Sequence, residues 1–304
     1  MPESSADGLV WEAPPGALRR PVMVAAFEGW NDAADAATFA SQWLVKHGDG
    51  ARVAHIDPES HIDFQSRRPQ VHLVDGVTRS LTWPETSFWV ARHPERDLIV
   101  VRGVEPSYRW RSFCDAVLEV YAATGCQMLV TFGALLADIP HTRPVRVTGT
   151  ATDPALIERL GLELSRYEGP TGIVGVLHDR CRRDGIDSVS LWAPVPHYIS
   201  SPPNPPAGQA ILERFGRLVG VSLDLSRVGL AVERWREQID AVAADDDDIR
   251  SYVDRLESRY DLGLDDDLAE DDDDSLEASW GDDLPSGDEI AGELEQFLRE
   301  QRND

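Results

Sequence analysis

Apolar residues fall into short continuous runs early in the chain and into helical stripes between and after them. VMVAAF (22–27) is apolar throughout, as a strand buried on both faces requires. EGWND follows and predicts a glycine turn, with Asn31 or Asp32 as a helix N-cap. Ala33, Ala36, Ala37, Phe39, Ala40, Trp43 and Leu44 form one stripe over about 33–47, which Gly48 ends. Residues 51–102 break into ARVAHI, QVHLVDG, SLTW, SFWVAR and DLIVVRG, short strands separated by Pro, Asp and Gly. Trp83, Phe88 and Trp89 fall in a predicted hairpin there. A helix over 107–123 turns Phe113, Val117, Leu118 and Tyr121 inward, and QMLVTFG (127–133) is a second buried strand. VRVTG reads as a strand and DPALIERLG as a short helix capped by Asp153. The stretch from Leu162 to Ile199 repeats the strand–loop–helix–strand grammar, and AGQAILERFGRLVG closes it with a helix. Strands alternating with helices imply a layered α/β sheet.

The ends divide differently. Residues 1–20, with Pro2, Pro14 and Pro15, read as an extended arm, and 21–225 as the α/β core domain. Residues 226–262 form a helical extension. Val232, Trp235, Ile239 and Val242 mark its first stripe, and Ile249, Tyr252, Val253, Leu256 and Tyr260 its second. Residues 263–304 are an acidic tail that is expected to be largely disordered on composition. Within it, 286–300 regains helical spacing, with Ile290, Leu294, Phe297 and Leu298 on one face. That face is the expected partner-docking element.

Charge sharpens the division. The 304-residue chain has a net charge of -25. From Asp245 to Asp304 there are 24 acidic residues against five Arg, a net of -19, which leaves -6 for the rest. Nucleic-acid backbones and anionic lipid need clustered cations and are excluded as partners. No apolar run approaches the ~18 residues of a membrane span. MPESSADGLVWEAPPG lacks the basic-then-apolar pattern of a signal peptide, so a cytoplasmic protein is expected. Cys114, Cys126 and Cys181 are scattered without metal spacing, so no metal site and no cofactor are expected. Lys46 is the only Lys, which narrows any Schiff-base or phosphate-binding lysine to one position.

The densest polar cluster is DIPHTRP (138–144), which follows a buried strand where open α/β sheets place their ligands. Read as an enzyme, the chain is a small-molecule hydrolase or phosphorylase. Its site would comprise Asn31, Asp32, Asp138, His141 and Arg143. His141 would be the acid/base, Asp138 its orienting partner and Arg143 the anion holder. Read structurally, the same loop is held by its own hydrogen bonds and prolines. EGPTG (168–172) precedes a helix, so Gly169, Thr171 and Gly172 are candidates for anion binding, against the plainer reading of a tight turn. It matches neither GxGxxG nor a GK[ST] loop. His178 and Cys181 share a helix and read as core.

Five stretches together resemble one family. They are FEGWNDAADAA (27–37), GVEPSYRWRSF (103–113), TFGALLADIPHTRP (131–144), YEGPTGIVGVLHD (167–179) and SLWAPVPHYISSPPNPPAGQAIL (190–212). They are similar to the proteasome assembly chaperone 2 (PAC2) family in its actinobacterial branch. The resemblance implies a three-layer α/β/α sandwich similar to the nucleoside phosphorylase/hydrolase-like fold, with an appended C-terminal helical hairpin. It also implies a non-enzymatic homo-oligomer, such as a trimer, with proteasome subunits as partners. Relatives that dock on the proteasome end in a hydrophobic–Tyr–any tripeptide, whereas this chain ends in Gln301, Arg302, Asn303 and Asp304. Relatives have also been labelled ATP-grasp carboxylate–amine ligases. One Lys and no phosphate loop fit that reading weakly.

Overall fold

The computed structural model describes residue 6 and residues 8–74, 78–160, 162, 169–199, 201–245 and 247–263. The expectations for 264–304, including the 286–300 segment with Ile290, Leu294, Phe297 and Leu298, lie outside the described residues.

VMVAAF forms β2 (Val22–Glu28) at the middle of an eight-stranded sheet. Its parallel neighbours are β7 (Asp97–Val104) on one side and β8 (Leu129–Ala137) on the other. β10 (Ser188–Pro196) continues the parallel set beyond β8. Antiparallel strands finish both sides. β9 (Thr148–Ala151) pairs with β10, and β6 (Thr86–Arg92), β3 (Ala51–Ile56) and β1 (Leu9–Trp11) follow β7 in that order.

The continuous apolar runs have a direct cause, since both faces of the central strands are covered. Val22, Val24 and Ala26 join α1 (Ala36–His47) and α5 (Pro205–Val219) in one apolar cluster. Met23, Ala25 and Phe27 join α2 (Trp110–Thr124) and α4 (Ile173–Asp184) in a second cluster. α3 (Pro154–Leu160) stands beside β9. α6 (Ser226–Asp245) puts Val228 and Val232 into the first cluster. Its Ile239 instead joins Ile249, Val253 and Leu256 of α7 (Asp247–Asp261), and Tyr198 and Ile199 after β10, in a third apolar cluster.

Several expectations shift. The arm over 1–20 contains β1, which pairs with β3 and buries Trp11, so that part belongs to the sheet. The strand expected at VRVTG instead runs Thr148–Ala151. The helix expected from 33 begins as a single 3-10 turn at Ala33–Asp35, because Ala34 and Asp35 have φ of 47° and 53°. The hairpin is β4 (Gln70–Val74) with β5 (Thr78–Thr82), a separate two-stranded sheet, while SFWVAR enters the main sheet. Phe88 is therefore in the core and Trp83 is exposed.

Candidate functional site

Because β2, β7, β8 and β10 run parallel, the segments that leave their carboxyl ends share one edge of the sheet. Asn31 and Asp32 follow β2, Glu105 follows β7, Asp138–Arg143 follow β8, and His197 and Tyr198 follow β10. Open α/β sheets bind ligands at this edge. Here the polar groups are directed at other parts of the chain.

Asp32 is buried. Its carboxylate accepts the N–H groups of Ala37 at 2.6 Å and Thr38 at 3.0 Å, and so caps α1 from across the tight turn. Burial pushes its carboxyl from 3.8 up to about 6, against the pull of those hydrogen bonds.

Asn31 is 1% exposed. Its Nδ2 donates to Glu105 Oε1 at 2.7 Å, and the Ile173 N–H donates to the same oxygen at 2.8 Å. The Asn31 carbonyl accepts from Ala134 N–H at 2.8 Å, which ties the turn to β8. Glu105 thus supplies the negative charge that the N-terminus of α4 attracts. The anion-binding candidates Gly169, Thr171 and Gly172 thus precede a helix end whose Ile173 N–H already donates to the chain's own Glu105 carboxylate. A Cβ on Gly172 would lie 2.3 Å from Asn31 Oδ1 and 2.6 Å from Glu105 Oε1, so the close approach requires glycine. Thr171 lies against Gly175, where an added Cβ would meet its Oγ1. Gly169 is a bend ahead of it.

The DIPHTRP residues turn the other way, onto α6 and α7. Tyr198 Oη accepts the His141 backbone N–H at 2.9 Å and stands 2.7 Å from His141 Nδ1. Asp240 Oδ1, a carboxylate oxygen that can only accept, lies 3.0 Å from His141 Nε2, which places the imidazole proton on Nε2 and leaves Nδ1 to accept from the Tyr198 hydroxyl. Burial lowers the His141 pKa, in keeping with a neutral ring. Arg143 donates Nε and Nη2 to the two oxygens of Asp261 at 2.9 and 2.8 Å, and its Nη1 lies 3.0 Å from Glu257 Oε1. Those carboxylates raise the Arg143 pKa, the Asp261 hydrogen bonds most of all. Thr142 Oγ1 also donates to Glu257. Tyr260 Oη donates to the Pro144 carbonyl at 2.8 Å, and Arg146 stacks on the Tyr260 ring at 3.9 Å. Asp138 accepts from Tyr252 Oη at 3.4 Å and lies 3.5 Å from His197 Nδ1, whose hydrogen bond holds the carboxyl below the usual range.

The five residues expected to form one catalytic group therefore occupy three places along the edge, with different partners in each. Asn31 belongs to the Glu105 cluster, Asp32 to the cap of α1, and Asp138, His141 and Arg143 to the joint with α6 and α7. Among the described residues no group of three or more His, Cys, Asp or Glu is placed to hold a metal ion. Nor is any described helix long and apolar enough to cross a membrane.

The PAC2 family model matches residues 26–243. The chain belongs to the PAC2 family. A PAC2 family protein from Streptomyces avermitilis has a similar structure, with 47% identity and a TM-score of 0.72 over 77% of this chain and 99% of the other. A Mycobacterium tuberculosis proteasome-assembly chaperone homologue gives 45% identity and a TM-score of 0.71, over 76% and 99%. A Pyrococcus furiosus archaeal proteasome activator gives 17% identity and a TM-score of 0.64 over 79% and 99%, a likeness of fold. No curated protein matches the chain.

The PAC2 match begins inside β2 and ends inside α6. It includes Asn31, Glu105, His141 and Asp240, but the α7 partners Tyr252, Glu257, Tyr260 and Asp261 lie beyond it. Sequence reasoning missed Glu105, although GVEPSYRWRSF contains it. The available signal was a lone acidic residue directly after a buried parallel strand. It missed Asp240, Glu257 and Asp261 as well, because ordinary acidic positions on exposed helix faces carry no local mark.

Proposed function

We propose that the chain is a non-enzymatic, homo-oligomeric binding protein of the proteasome-assembly-chaperone type. It acts in the cytoplasm, on or near the core proteasome. The observation that carries the non-enzymatic part is how the carboxyl edge is used. His141 has both ring nitrogens engaged, Arg143 is engaged by two carboxylates, and Glu105 fills the helix end that would attract an anion. An edge occupied in this way serves as a joint between parts of one chain. The proteasome part is supported by the 45% identical homologue named as a proteasome-assembly chaperone. Its oligomeric state is a cyclic assembly such as a trimer.

The test is affinity capture with co-expressed actinobacterial core-particle subunits. The bait is the full chain, or a chain ending after Gly263, which keeps every described helix and strand. Recovery of α or β subunits with a bait that elutes as a discrete oligomer supports the proposal. Recovery with neither bait overturns it. Recovery with the full chain alone assigns the contact to the acidic tail.

A further inference from the structure

The amino ends of β2 and β7 share the edge of the sheet opposite Glu105 and His141, and two unmatched cations meet there. The parallel register sets Val22 beside Leu98, and two residues back along each segment it sets Arg20 beside Arg96. Backbone contacts hold that alignment outside the strands. Asp97 N–H donates to the Arg19 carbonyl at 2.9 Å, and Arg19 N–H donates to Asp97 Oδ2 at 2.7 Å. The buried Asp97 carboxylate also accepts from Arg92 Nη1 at 2.7 Å, and Arg19 Nη2 donates to the His93 carbonyl at 2.6 Å. Arg19 and Arg92 are thus anchored within the chain. Among the described residues, neither the Arg20 nor the Arg96 guanidinium forms a hydrogen bond or an ion pair.

Three costs coincide at this pair. Like charges set side by side on neighbouring strands repel. Arg96 is half-buried, and burial together with the Arg20 charge lowers its pKa. Arg20 has a φ of 45°, left-handed backbone in a non-glycine residue, although the Pro21 that follows favours extended backbone there. No contact among the described residues offsets the paired charges, so the arrangement calls for an occupant from outside the chain.

We propose that Arg20 and Arg96 clamp one phosphate group. A phosphate or phosphate monoester carries about two negative charges near neutral pH, which matches two guanidinium groups. Each planar guanidinium presents paired N–H donors in the spacing of two phosphate oxygens. A lone carboxylate would leave one of the cations unmatched. The chain's net charge of -25 weakens attraction at long range but leaves the clamp, because exposed charges are screened beyond ~8 Å at physiological ionic strength. The site is separate from the polar groups that carry the assembly-chaperone reading and does not depend on it.

The test is isothermal titration of the isolated full chain with inorganic phosphate and, in a second arm, with methyl phosphate, each against sodium chloride at matched ionic strength. The wild type is compared with R20Q and R96Q, which keep most of each side chain and remove its charge. R183Q is the control, since Arg183 pairs with Asp179 on α4. The expected result is one phosphate bound per chain, binding about tenfold weaker or more in R20Q and R96Q, and no change in R183Q. Methyl phosphate binding as tightly as the free ion assigns the clamp to an esterified phosphate, and weaker binding assigns it to the free ion. In phosphate-free buffer R20Q and R96Q should melt no lower than wild type, because each relieves the repulsion. Absence of saturable phosphate binding, or equal affinity in wild type and both variants, overturns the proposal. So does a lower melting temperature of R20Q and R96Q without phosphate, which would show that the two cations serve contacts within the chain.

Discussion

One oxygen of Glu105 joins two segments that are far apart in sequence. Asn31 Nδ2 donates to it at 2.7 Å and the Ile173 N–H at 2.8 Å. It holds together the turn after β2, the loop after β7 and the start of α4. Glu105→Ala strands two donors in a region where Asn31 is 1% exposed. The expected loss in urea unfolding is about 2–4 kcal/mol, the cost of unpaired buried donors at a charged acceptor. Glu105→Gln keeps a carbonyl acceptor and should lose about 1 kcal/mol, the charge at the helix end. Equal losses for the two variants would show that the hydrogen bonds do not carry the contact.

Gly172 is expected to be intolerant for a steric reason. An alanine Cβ would fall 2.3 Å from Asn31 Oδ1. Gly172→Ala should cost about 2 kcal/mol or more, within the range for overpacking. Asn31→Gly by itself removes the hydrogen bond to Glu105, but in its presence the cost of Gly172→Ala should be smaller, because the nearer of the two clashing side chains is gone. A strictly additive double variant would place the strain elsewhere.

Asp32 makes a prediction with a sign. Its carboxyl titrates at about 6 when folded against 3.8 unfolded, chiefly through burial. Between those values the folded state holds more protons, so this group's contribution to stability falls as pH rises from about 4 to 6. The full change is about 2–3 kcal/mol. Asp32→Asn removes it, so the variant should gain stability relative to wild type across that window and hold a constant difference above it. A difference that stays flat from pH 4 to 7 would contradict the burial of an ionised Asp32.

The joint between β8 and the C-terminal helices should loosen locally. Tyr198→Phe removes the hydroxyl that serves both His141 N–H and Nδ1. The expected cost is about 1–3 kcal/mol. Amide exchange should rise in α6 and α7 while β2 and β7 keep their protection. Equal acceleration throughout the sheet would show that His141 supports the core and not the joint.

What the sequence makes legible follows from the range of the interactions. β2 is readable in VMVAAF because burial on both faces leaves its mark within seven residues. The start of α1 is harder to read. Asp32 looks like an ordinary cap, but positive φ at Ala34 and Asp35 moves the helix on to Ala36. DIPHTRP suggests acid/base chemistry because its polar density is local, whereas its explanation is not. His141 meets Asp240 at 99 residues' separation and Arg143 meets Asp261 at 118. A composition of Asp, His and Arg after a strand looks the same whether it faces a substrate or a helix. Glu105 is hidden for the same reason, since its partners lie 74 and 68 residues away.

The most direct test of the central claim is native mass spectrometry of purified full-length chain mixed with unassembled actinobacterial proteasome α and β subunits. A discrete complex of this chain with those subunits is expected, with faster appearance of the core particle at equimolar ratio. No complex, and core-particle assembly at the rate seen without the chain, would contradict it.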